Sequence, residues 1–511
     1  MLVRVTAAKC VGVDAVKVIV EADITSGIGV HIVGLPDIAV KESLLRTFTA
    51  LEALGFRIPG KKIVINLAPA DLRKNGSGYD LPIAVAIIAA SSQRNLVRAG
   101  DFVIMGELGL DGELRAIPGG LPFAQLAGEE GLAGVILPKD CAQEAAEFEV
   151  ARVYGARTLM DVVRILEGVE ACDDLLVRKE SGKRSGPFCR ADCDFADIIG
   201  QEAAKRGAEI AAGGGHNLLL VGAPGSGKTS LAKAMAGILP PMTRNEALMT
   251  SKIHSIYGKP GFSGSLQRPF RSPHYSASMP AIIGGGGGDS ILPGEVSLAH
   301  NGILFLDEFG QMPRSVVEAL RGPLEDRRVT ISRLRSKLEY PASFMLVAAS
   351  NPCPCGYWGE RDRCRCTPSQ RINYLSKLSG PILDRIDLHV HVRTVDPSLT
   401  MTGKKTESSE LVRKRVCRAR EIQQRRFGES GISTNAQMDN RLIEKFCPLN
   451  NDCKDVLLRL MQSSGLSMRS YFRIIKVSRT IADLEGSEEI SVEHILEAAS
   501  YRFMDKAENG L

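Results

Sequence analysis

The chain has 511 residues, of which 44% are hydrophobic and 24% charged, and its formal net charge is +5. This composition is that of an ordinary globular protein, and the length excludes a single core in favour of two to four domains. The mildly basic charge permits a nucleic-acid partner without arguing for one.

Membrane insertion and secretion are not expected from the sequence. No apolar run approaches the ~20 residues of a membrane-spanning helix, and the N-terminus lacks the long apolar core of a signal peptide. The twelve cysteines are scattered except for one cluster, which is no disulfide framework. We therefore expect a protein of the reducing cytoplasm with no membrane contact.

The first 168 residues alternate short apolar runs with helical periodicity. KIVINLAP (residues 62–69) and GVILP (Gly134–Pro138) are predicted buried strands. DLPIAVAIIAAS (residues 80–91) is apolar on nearly every side, which is typical of a buried helix. The polar stretch at residues 170–195 contains glycine and proline, which indicates an interdomain linker.

LLLVGAPGSGKTSLAKAMAGILP (residues 218–240) predicts a strand, a glycine-rich turn and a helix. Its GxxxxGK[ST] pattern is typical of a phosphate-binding loop, in which backbone N–H groups and a helix N-terminus converge on phosphate oxygens. Lys228 is expected to reach the β and γ phosphates, and the Thr229 hydroxyl to ligate Mg²⁺. The predicted nucleotide-binding residues of this loop are Gly222, Ala223, Pro224, Gly225, Ser226, Gly227, Lys228, Thr229 and Ser230.

Two later apolar strands end in polar residues suited to hydrolysis. GILFLDEF (residues 302–309) places Asp307 to hold magnesium, directly or through water, and Glu308 to activate the attacking water. SFMLVAASN ends at Asn351, whose amide would orient water against the γ-phosphate.

Two arginines are candidates for contact with the nucleotide of a neighbouring subunit. Arg385 stands between two acids in GPILDRIDLHV. It either completes a neighbour's site or pairs within the chain with Asp384 or Asp387. Arg469 in LSMRSYFRI is a similar candidate in the helical C-terminal region.

These segments together resemble a AAA+ ATPase of the magnesium-chelatase and MCM branch. RPFRSPHYSAS, PGEVSLAHNGILFLDE and LSGPILDRIDLHV are similar to the YifB/ComM family over essentially the full length. The resemblance implies a hexameric ring with ATP between subunits. It also implies roles for single residues: a Walker B pair (Asp307, Glu308), sensor 1 (Asn351), the arginine finger (Arg385) and sensor 2 (Arg469). The residues expected to border the adenine ring are Asp197, Ile198 and Ile199.

The N-terminal region is similar to the Lon-protease, ribosomal S5-type fold in KNGSGYDLPIAVAIIAA, GELGLDGELRAIPGG and GVILP. A Lon peptidase uses a serine in a glycine-flanked turn and a lysine that deprotonates it. The match puts Gly78 where the serine should stand and Ala124 where the lysine should be. The neighbouring Ser77 supplies a hydroxyl but no base, so the resemblance implies a scaffold or DNA-contacting module without peptidase activity.

The expected fold class is α/β, in four consecutive parts. An N-terminal Lon-protease/S5-like α+β domain spans residues 1–168, and a linker spans residues 169–195. An AAA+ core with inserted hairpins spans residues 196–395 and includes a cysteine-rich loop at 352–367. A helical lid domain spans residues 396–511.

Two segments of the expected core are candidates for DNA contact, because cations interleaved with aromatic rings can clamp phosphates and stack on bases. The insertion at residues 255–295 carries Lys259, Arg268, Arg271 and His274 among Tyr257, Phe262, Phe270 and Tyr275. The segment at residues 325–341 alternates as a hairpin and carries Arg327, Arg328, Arg333, Arg335 and Lys337. A solvated basic surface without a ligand is the alternative, and the cationic run at residues 413–426 is predicted to be an exposed helix face.

Four cysteines follow Asn351 in the pattern C-x-C-x8-C-x-C, namely Cys353, Cys355, Cys364 and Cys366. Four thiolates suit tetrahedral Zn²⁺, although C-x-C pairs are tighter than the usual C-x2-C knuckle. Reduced free thiols and a redox disulfide are the alternatives. A zinc ion here would be structural, because four protein ligands close its coordination shell.

The sequence predicts a cytoplasmic, hexameric, DNA-stimulated ATPase that translocates on DNA or acts as a branch-migration helicase in recombination or transformation. Two other classes stay open. A chelatase-like metal-insertion motor would need a partner with a metal-binding adhesion domain, which this chain lacks. A protein remodeller would grip polypeptide with aromatic pore loops, whereas the arginine-rich hairpin favours nucleic acid.

Overall fold

The structure, a computed structural model of the chain, contains a mixed N-terminal part, a central parallel sheet with helices, and a C-terminal group of helices. It describes residues 2–169, 172–179, 193–258, 267–286, 291–333, 336–358, 363–375, 380–394, 406–428 and 430–504. The predicted α/β fold class is confirmed. The domain boundaries stay predictions, and most of the predicted linker lies outside the described residues.

The N-terminal part is built on one large sheet. Its strands are β1 (Val3–Val11), β2 (Asp14–Thr25), β3 (Val30–Val33), β4 (Lys62–Ala68), β5 (Phe102–Ile104), β8 (Gly134–Pro138), β9 (Val153–Ala156) and β10 (Leu176–Val177), with a separate pair β6 (Glu107–Leu108) and β7 (Leu114–Arg115). The large sheet has the order β10-β9-β8-β5-β1-β2-β4-β3. Both strands predicted from apolar runs, β4 and β8, are present.

Helices pack against this sheet. They are α1 (Ile38–Ala53), α2 (Asp80–Ala90), α3 (Gly120–Glu129), α4 (Lys139–Ala146) and α5 (Leu159–Glu167). Helix α2 is the predicted all-apolar helix, and it lies between α1 and strands β1 and β2 with nearly every residue buried. The carboxylate of Asp80 at its start is fully buried and accepts two hydrogen bonds from the Arg46 guanidinium, at 2.9 and 3.1 Å.

The central sheet positions the candidate site. Its five strands, all parallel, are β11 (Leu218–Gly222), β12 (Phe270–Arg271), β15 (Ile303–Leu306), β18 (Met345–Ser350) and β19 (Leu388–Val392). Their order is β12-β15-β18-β11-β19, so the strand that leads into the glycine-rich loop is flanked by two strands from much later in the chain. In such sheets ligands bind at the carboxyl ends of the strands, beside the point where the strand order reverses.

The central helices are α6 (Glu202–Gly214), α7 (Lys228–Ile238), α8 (Arg244–Tyr257), α9 (Met279–Ile283), α10 (Glu295–Leu298), α11 (Arg314–Ala319), α12 (Arg321–Asp326), α13 (Pro368–Leu375) and α14 (Gly380–Leu383). Two short antiparallel pairs are inserted among them: β13 (Gly284–Gly285) with β14 (Leu292–Pro293), and β16 (Arg328–Arg333) with β17 (Ser336–Pro341). The second pair is the hairpin predicted within residues 325–341.

The C-terminal helices are α15 (Ser409–Phe427), α16 (Asn440–Phe446), α17 (Asn451–Ser464), α18 (Met468–Glu485) and α19 (Val492–Ser500). Helices α15 and α18 pack on α6, and their buried side chains join the core on one face of the central sheet. The helical C-terminal region is therefore packed directly against the elements that flank the glycine-rich loop.

The prediction that residues 413–426 form an exposed helix face is wrong for one side of α15. Arg420 donates to the Ala212 carbonyl at 2.9 and 3.1 Å, and burial lowers its pKa to about 9. Arg426 donates to the buried Asp483 carboxylate at 2.8 Å. The hydrogen-bond acceptors lie on other helices, α6 and α18, so these contacts could not be predicted from the spacing of residues within α15.

The N-terminal part contacts the central part through α8. Leu121 and Phe148 form a small buried cluster with Met242 and Ala247. The Gly119 N–H donates to the carbonyl of Ser255, a residue of α8, at 3.1 Å. No helix in the described ranges is both long enough and apolar enough to cross a bilayer.

Candidate functional site

The glycine-rich loop connects β11 to α7 in a tight turn. Gly225 (φ +75°) and Gly227 (φ +92°) have left-handed backbone conformations that suit glycine. A side chain at Gly222 is excluded as well, since an added Cβ would lie 2.2 Å from the Val392 carbonyl oxygen. The glycine-rich loop therefore turns tightly and leads directly into the N-terminus of α7. Backbone N–H groups at a helix N-terminus bind phosphate.

Lys228 is the first residue of α7 and points back into the loop. Its ammonium group donates to the carbonyls of Gly222 at 2.7 Å and Ala223 at 2.8 Å, and to the Asn351 side-chain oxygen at 3.2 Å. Burial lowers the pKa of Lys228, and the charges of Asp307 and Glu308 oppose that shift. The amine is therefore placed between the phosphate loop and the predicted sensor residue.

The next residue, Thr229, joins the loop to the acidic pair that follows β15. Its hydroxyl donates to Asp307 Oδ2 at 2.9 Å, and the Glu308 N–H donates to Asp307 Oδ1 at 2.8 Å. Hydroxyl and carboxylate oxygens are hard ligands of the kind that Mg²⁺ takes beside substrate phosphates. The two side chains therefore fit the predicted role of magnesium ligands.

Glu308 has a strained backbone, with φ +48° and ψ +40°. A non-glycine residue in this left-handed region costs on the order of 1–3 kcal/mol, and such strain is concentrated at functional sites. Glu308 lies two residues after the buried strand β15, at the position where the sequence predicts the water-activating carboxylate.

These groups line one open cavity of about 780 Å³, the phosphate cleft. It is lined by residues 224–230 of the glycine-rich loop and by Ser272, Pro273, His274, Tyr275, Asp307, Glu308, Ala349, Ser350 and Asn351. The structure thus brings Lys228, Thr229, Asp307, Glu308 and Asn351 together, as the sequence predicts.

Ser272 to Tyr275 form a wall of the cleft that sequence reasoning missed. The sequence predicts His274 and Tyr275 to be among the DNA-contacting residues. In the structure they follow β12, which lies beside β15 and ends at the same edge of the sheet as Asp307. A strand of two residues is too short to be predicted from an apolar pattern. Only the order of strands in the sheet shows that these residues reach the cleft.

The predicted adenine-bordering residues lie beside the loop. Asp197 ends a short 3-10 turn (Phe195–Asp197), and Ile198 is buried. A few residues on, the Gln201 side chain donates to the Ser226 carbonyl of the glycine-rich loop at 3.2 Å. The segment is therefore tied to the phosphate-binding residues, and its contact with adenine stays a prediction.

Arg385 is buried and ion-paired within the chain. Its guanidinium pairs with Glu325 at the end of α12, and only 8% of the Arg385 side chain is exposed. The two acids that flank Arg385 in the sequence pair with other arginines: Asp384 with Arg469 at 3.0 Å, and Asp387 with Arg473 at 2.7 Å. Burial alone would raise the pKa of Asp387, but the charge of Arg473 and the hydrogen bond with His216 outweigh it and hold that pKa well below its ordinary value.

Arg469 lies near the start of α18, and its side chain is 64% exposed. Neither Arg469 nor Arg385 is among the residues that line the phosphate cleft. The two arginines are instead neighbours, because Asp384, the partner of Arg469, directly precedes Arg385. Their assignment to nucleotide contact stays a prediction.

The cations predicted to contact DNA in the first insertion are engaged within the protein. Arg268 pairs with Glu246 at 3.1 Å and donates to the Asn301 carbonyl at 2.7 Å. Arg271 pairs with Glu295 through hydrogen bonds of 2.6 and 2.7 Å. Both arginines are therefore ion-paired within the chain, and their assignment to DNA contact stays a prediction. Lys259 and Phe262 lie outside the described residues.

The hairpin β16–β17 leaves some of its cations exposed. Arg328 is 64% exposed and lies 3.6 Å from Glu339, and Lys337 is exposed as well. Arg327 is different, since burial lowers the pKa of its guanidinium and it reaches the Ser343 hydroxyl. Arg335 and the side chain of Arg333 lie outside what the structure describes.

Ser77, the candidate serine of the N-terminal part, and the buried Lys74 have different partners in the structure. Ser77 donates to the Glu107 carboxylate. An added Cβ at Gly78 would lie 3.1 Å from the Met105 side chain, and Ala124 is fully buried. Buried Lys74 donates to the Leu67 carbonyl at 2.7 Å. The absence of peptidase activity stays a prediction.

The four clustered cysteines converge after β18. Their sulfur atoms all lie within 4.8 Å of one another, and Cys353 is fully buried. The Cys355 sulfur accepts backbone N–H groups of Tyr357 and Arg365, which lower the pKa of this thiol to about 6. This geometry is compatible with a bound metal ion.

Comparison with known proteins identifies relatives over almost the whole chain. The family description "Magnesium chelatase, subunit ChlI" matches residues 194–399, "Subunit ChlI of Mg-chelatase" matches 20–141, and "Magnesium chelatase, subunit ChlI C-terminal" matches 406–502. The uncharacterized protein YifB of Salmonella typhimurium is 44% identical over 498 residues, 97% of this chain and 96% of that protein. The competence protein ComM of Haemophilus influenzae is 44% identical over 499 residues, 96% of each chain.

The phosphate cleft predicts that Lys228→Ala weakens binding of Mg²⁺·ATP by about tenfold or more, because a charge-assisted hydrogen bond to phosphate is lost. The matched control is Lys233→Ala, which removes an exposed lysine from the same helix, α7. Titration with a fluorescent ATP analogue measures both. Equal affinity in the two variants would contradict the assignment of Lys228.

Proposed function

The chain belongs to the magnesium-chelatase ChlI family of AAA+ ATPases, in its YifB/ComM group, and we propose that it is an ATP-hydrolysing ring motor that acts on DNA. The observation that carries the ATPase part is the hydrogen bond between Thr229 and Asp307 beside the Lys228 amine. It joins a phosphate loop to a magnesium-binding acid in one cleft, which is what hydrolysis of a nucleoside triphosphate requires.

The cleft residues divide the work of hydrolysis. Lys228 and the loop N–H groups bind the phosphates, and Thr229 and Asp307 hold Mg²⁺, which neutralises phosphate charge when bound. Asn351 orients a water molecule towards the γ-phosphate, and Glu308 accepts its proton as the new P–O bond forms. The bond to the bridging oxygen breaks, and ADP leaves with that electron pair.

Arg385 acts, in this proposal, on the nucleotide of a neighbouring copy in a hexamer. A guanidinium supplied across an interface stabilises the charge that develops during phosphoryl transfer. Within one chain Arg385 is held by Glu325, whose side chain is 56% exposed. Assembly of the ring would therefore have to exchange this carboxylate for phosphate oxygens, which links subunit contact to hydrolysis.

DNA is the proposed substrate of the motor. The exposed Arg328 and Lys337 on the hairpin β16–β17 supply cations for phosphate contacts, and the competence protein ComM is a full-length relative. We extend this to translocation on single-stranded or branched DNA, with branch migration in recombination or natural transformation. We also place the protein in the reducing cytoplasm, because the twelve cysteines of the sequence form no disulfide framework.

A motor that does not act on DNA is the alternative. All three matching family descriptions name the chelatase subunit ChlI, which favours a chelatase-like machine or a protein remodeller as the second candidate. The two classes differ in what stimulates ATP turnover. Stimulation by a protein partner and none by DNA, together with no DNA binding at low salt, would support the alternative.

The proposed roles predict that Glu308→Gln lowers ATP turnover about 100-fold or more while nucleotide binding is kept, because the amide cannot accept the proton from water. Nucleotide-bound rings should then accumulate in analytical ultracentrifugation. Glu318→Gln, which alters an ion-paired acid on α11, is the control and should hydrolyse ATP normally. A Glu308→Gln chain that hydrolyses ATP at the normal rate would refute the assignment.

The hairpin predicts that Arg328→Ala with Lys337→Ala weakens DNA binding and reduces the slope of log K against log salt by about 2, one for each lost phosphate contact. The control, Lys414→Ala with Arg425→Ala, removes the same charge from exposed positions on α15. Fluorescence anisotropy at several salt concentrations compares them. Equal slopes for both double variants would remove the hairpin from the DNA interface.

A further inference from the structure

The loop between β18 and α13 holds a cluster of thiols that hydrolysis does not use. The sulfur of Cys353 lies 3.3 Å from that of Cys355 and 3.8 Å from that of Cys364, and Cys355 and Cys364 are 3.7 Å apart. Cys366 completes the group, with all four sulfurs within 4.8 Å of one another. Tetrahedral zinc with Zn–S bonds of about 2.3 Å places its four sulfurs about 3.8 Å apart.

We propose that Cys353, Cys355, Cys364 and Cys366 form a structural Zn²⁺ site that fixes this loop against the glycine-rich loop. A disulfide does not account for the geometry, because a bonded pair would be about 2.05 Å apart, whereas these sulfur atoms are 3.3 to 3.8 Å apart. A polynuclear iron–sulfur cluster would need the sulfurs farther apart, since several metal ions and bridging sulfides must fit between them. Four thiolates favour zinc over harder cations.

The surrounding backbone and side chains hold the loop that carries the four cysteines. The Gly356 N–H donates to the Cys353 carbonyl at 2.9 Å, which closes the first C-x-C turn. Arg363 lies over the Tyr357 ring at 4.4 Å, and Arg371 over the Trp358 ring at 5.5 Å. Both rings belong to the loop that carries the cysteines, so these two contacts help hold the loop in place.

The site is joined to the phosphate cleft at two points. Gly356 has φ +86°, and an added Cβ there would lie 2.6 Å from the Pro224 ring of the glycine-rich loop. Asn351, two residues before Cys353, accepts from Lys228 at 3.2 Å. Four protein ligands leave zinc no open position for catalysis, so its effect on hydrolysis would be to hold these two contacts. Only this last link depends on the proposed ATPase function.

Metal content tests the site itself. The full chain, purified under reducing conditions from zinc-supplemented cells, should contain about one zinc ion per chain by mass spectrometry of the metal. Cys355→Ser with Cys364→Ser removes one ligand from each C-x-C pair and should lose it. Cys417→Ser alters a cysteine on α15, outside the cluster, and should keep it. A folded wild-type chain without zinc overturns the proposal, whether its four thiols are free or oxidised to disulfides on thiol titration.

Wild-type protein gives a second test that does not depend on the folding of a variant. Replacement of zinc by Co²⁺ should give the strong visible absorption of a tetrahedral four-thiolate centre. Trp358 is the one tryptophan in the sequence and lies 42% exposed in the metal loop. Removal of zinc should therefore shift its emission to longer wavelength. Zinc bound without that visible spectrum would place the metal elsewhere.

A separate variant tests the contact between the metal loop and the phosphate cleft. Gly356→Ala pushes against Pro224, so it should keep zinc but bind ATP about tenfold more weakly. Gly431→Ala is the control, because it imposes a similar positive φ where an added Cβ meets nothing within 4 Å. Unchanged affinity in Gly356→Ala would overturn the link and leave the metal site. A wild-type chain that holds zinc but binds no ATP would instead refute the proposed function.

Discussion

The common carboxyl edge of a parallel sheet is the constraint on which the site depends. Strands β11 and β15 are separated in the sheet only by β18, so the residues that follow all three strands must meet. The result is a 2.9 Å hydrogen bond between Thr229 and Asp307, with Asn351 between them reaching Lys228. Burial of all three strands fixes this geometry before any ligand arrives.

A group of ion pairs connects the turn that carries Arg385 to the C-terminal helices. Asp384 and Asp387 flank Arg385 and bind two arginines of α18, Arg469 and Arg473. The turn that carries the predicted finger is therefore held by the C-terminal helices and by Glu325 of α12. In the proposed ring, these ion pairs would connect the position of Arg385 to that of α18.

Sequence reasoning predicted the parts of the fold that local pattern determines. The glycine-rich loop, the acidic strand end, the all-apolar α2 and the hairpin β16–β17 are each encoded within one short segment. The ion-pair partners of the arginines are distant in the sequence. Arg268 pairs with Glu246, Arg271 with Glu295 and Arg385 with Glu325. A basic pattern in the sequence therefore does not show which cations are ion-paired within the folded chain. The position of His274 is not local either, because only the strand order brings it to the cleft.

Mixing two impaired variants tests most directly whether the catalytic site is shared between copies of the chain. Arg385→Ala keeps Glu308, and Glu308→Gln keeps Arg385, so a mixed ring contains interfaces with both groups intact. The account predicts that an equimolar mixture hydrolyses ATP faster than the sum of the two variants alone. A mixture no faster than that sum, from samples shown to exchange subunits, would contradict it.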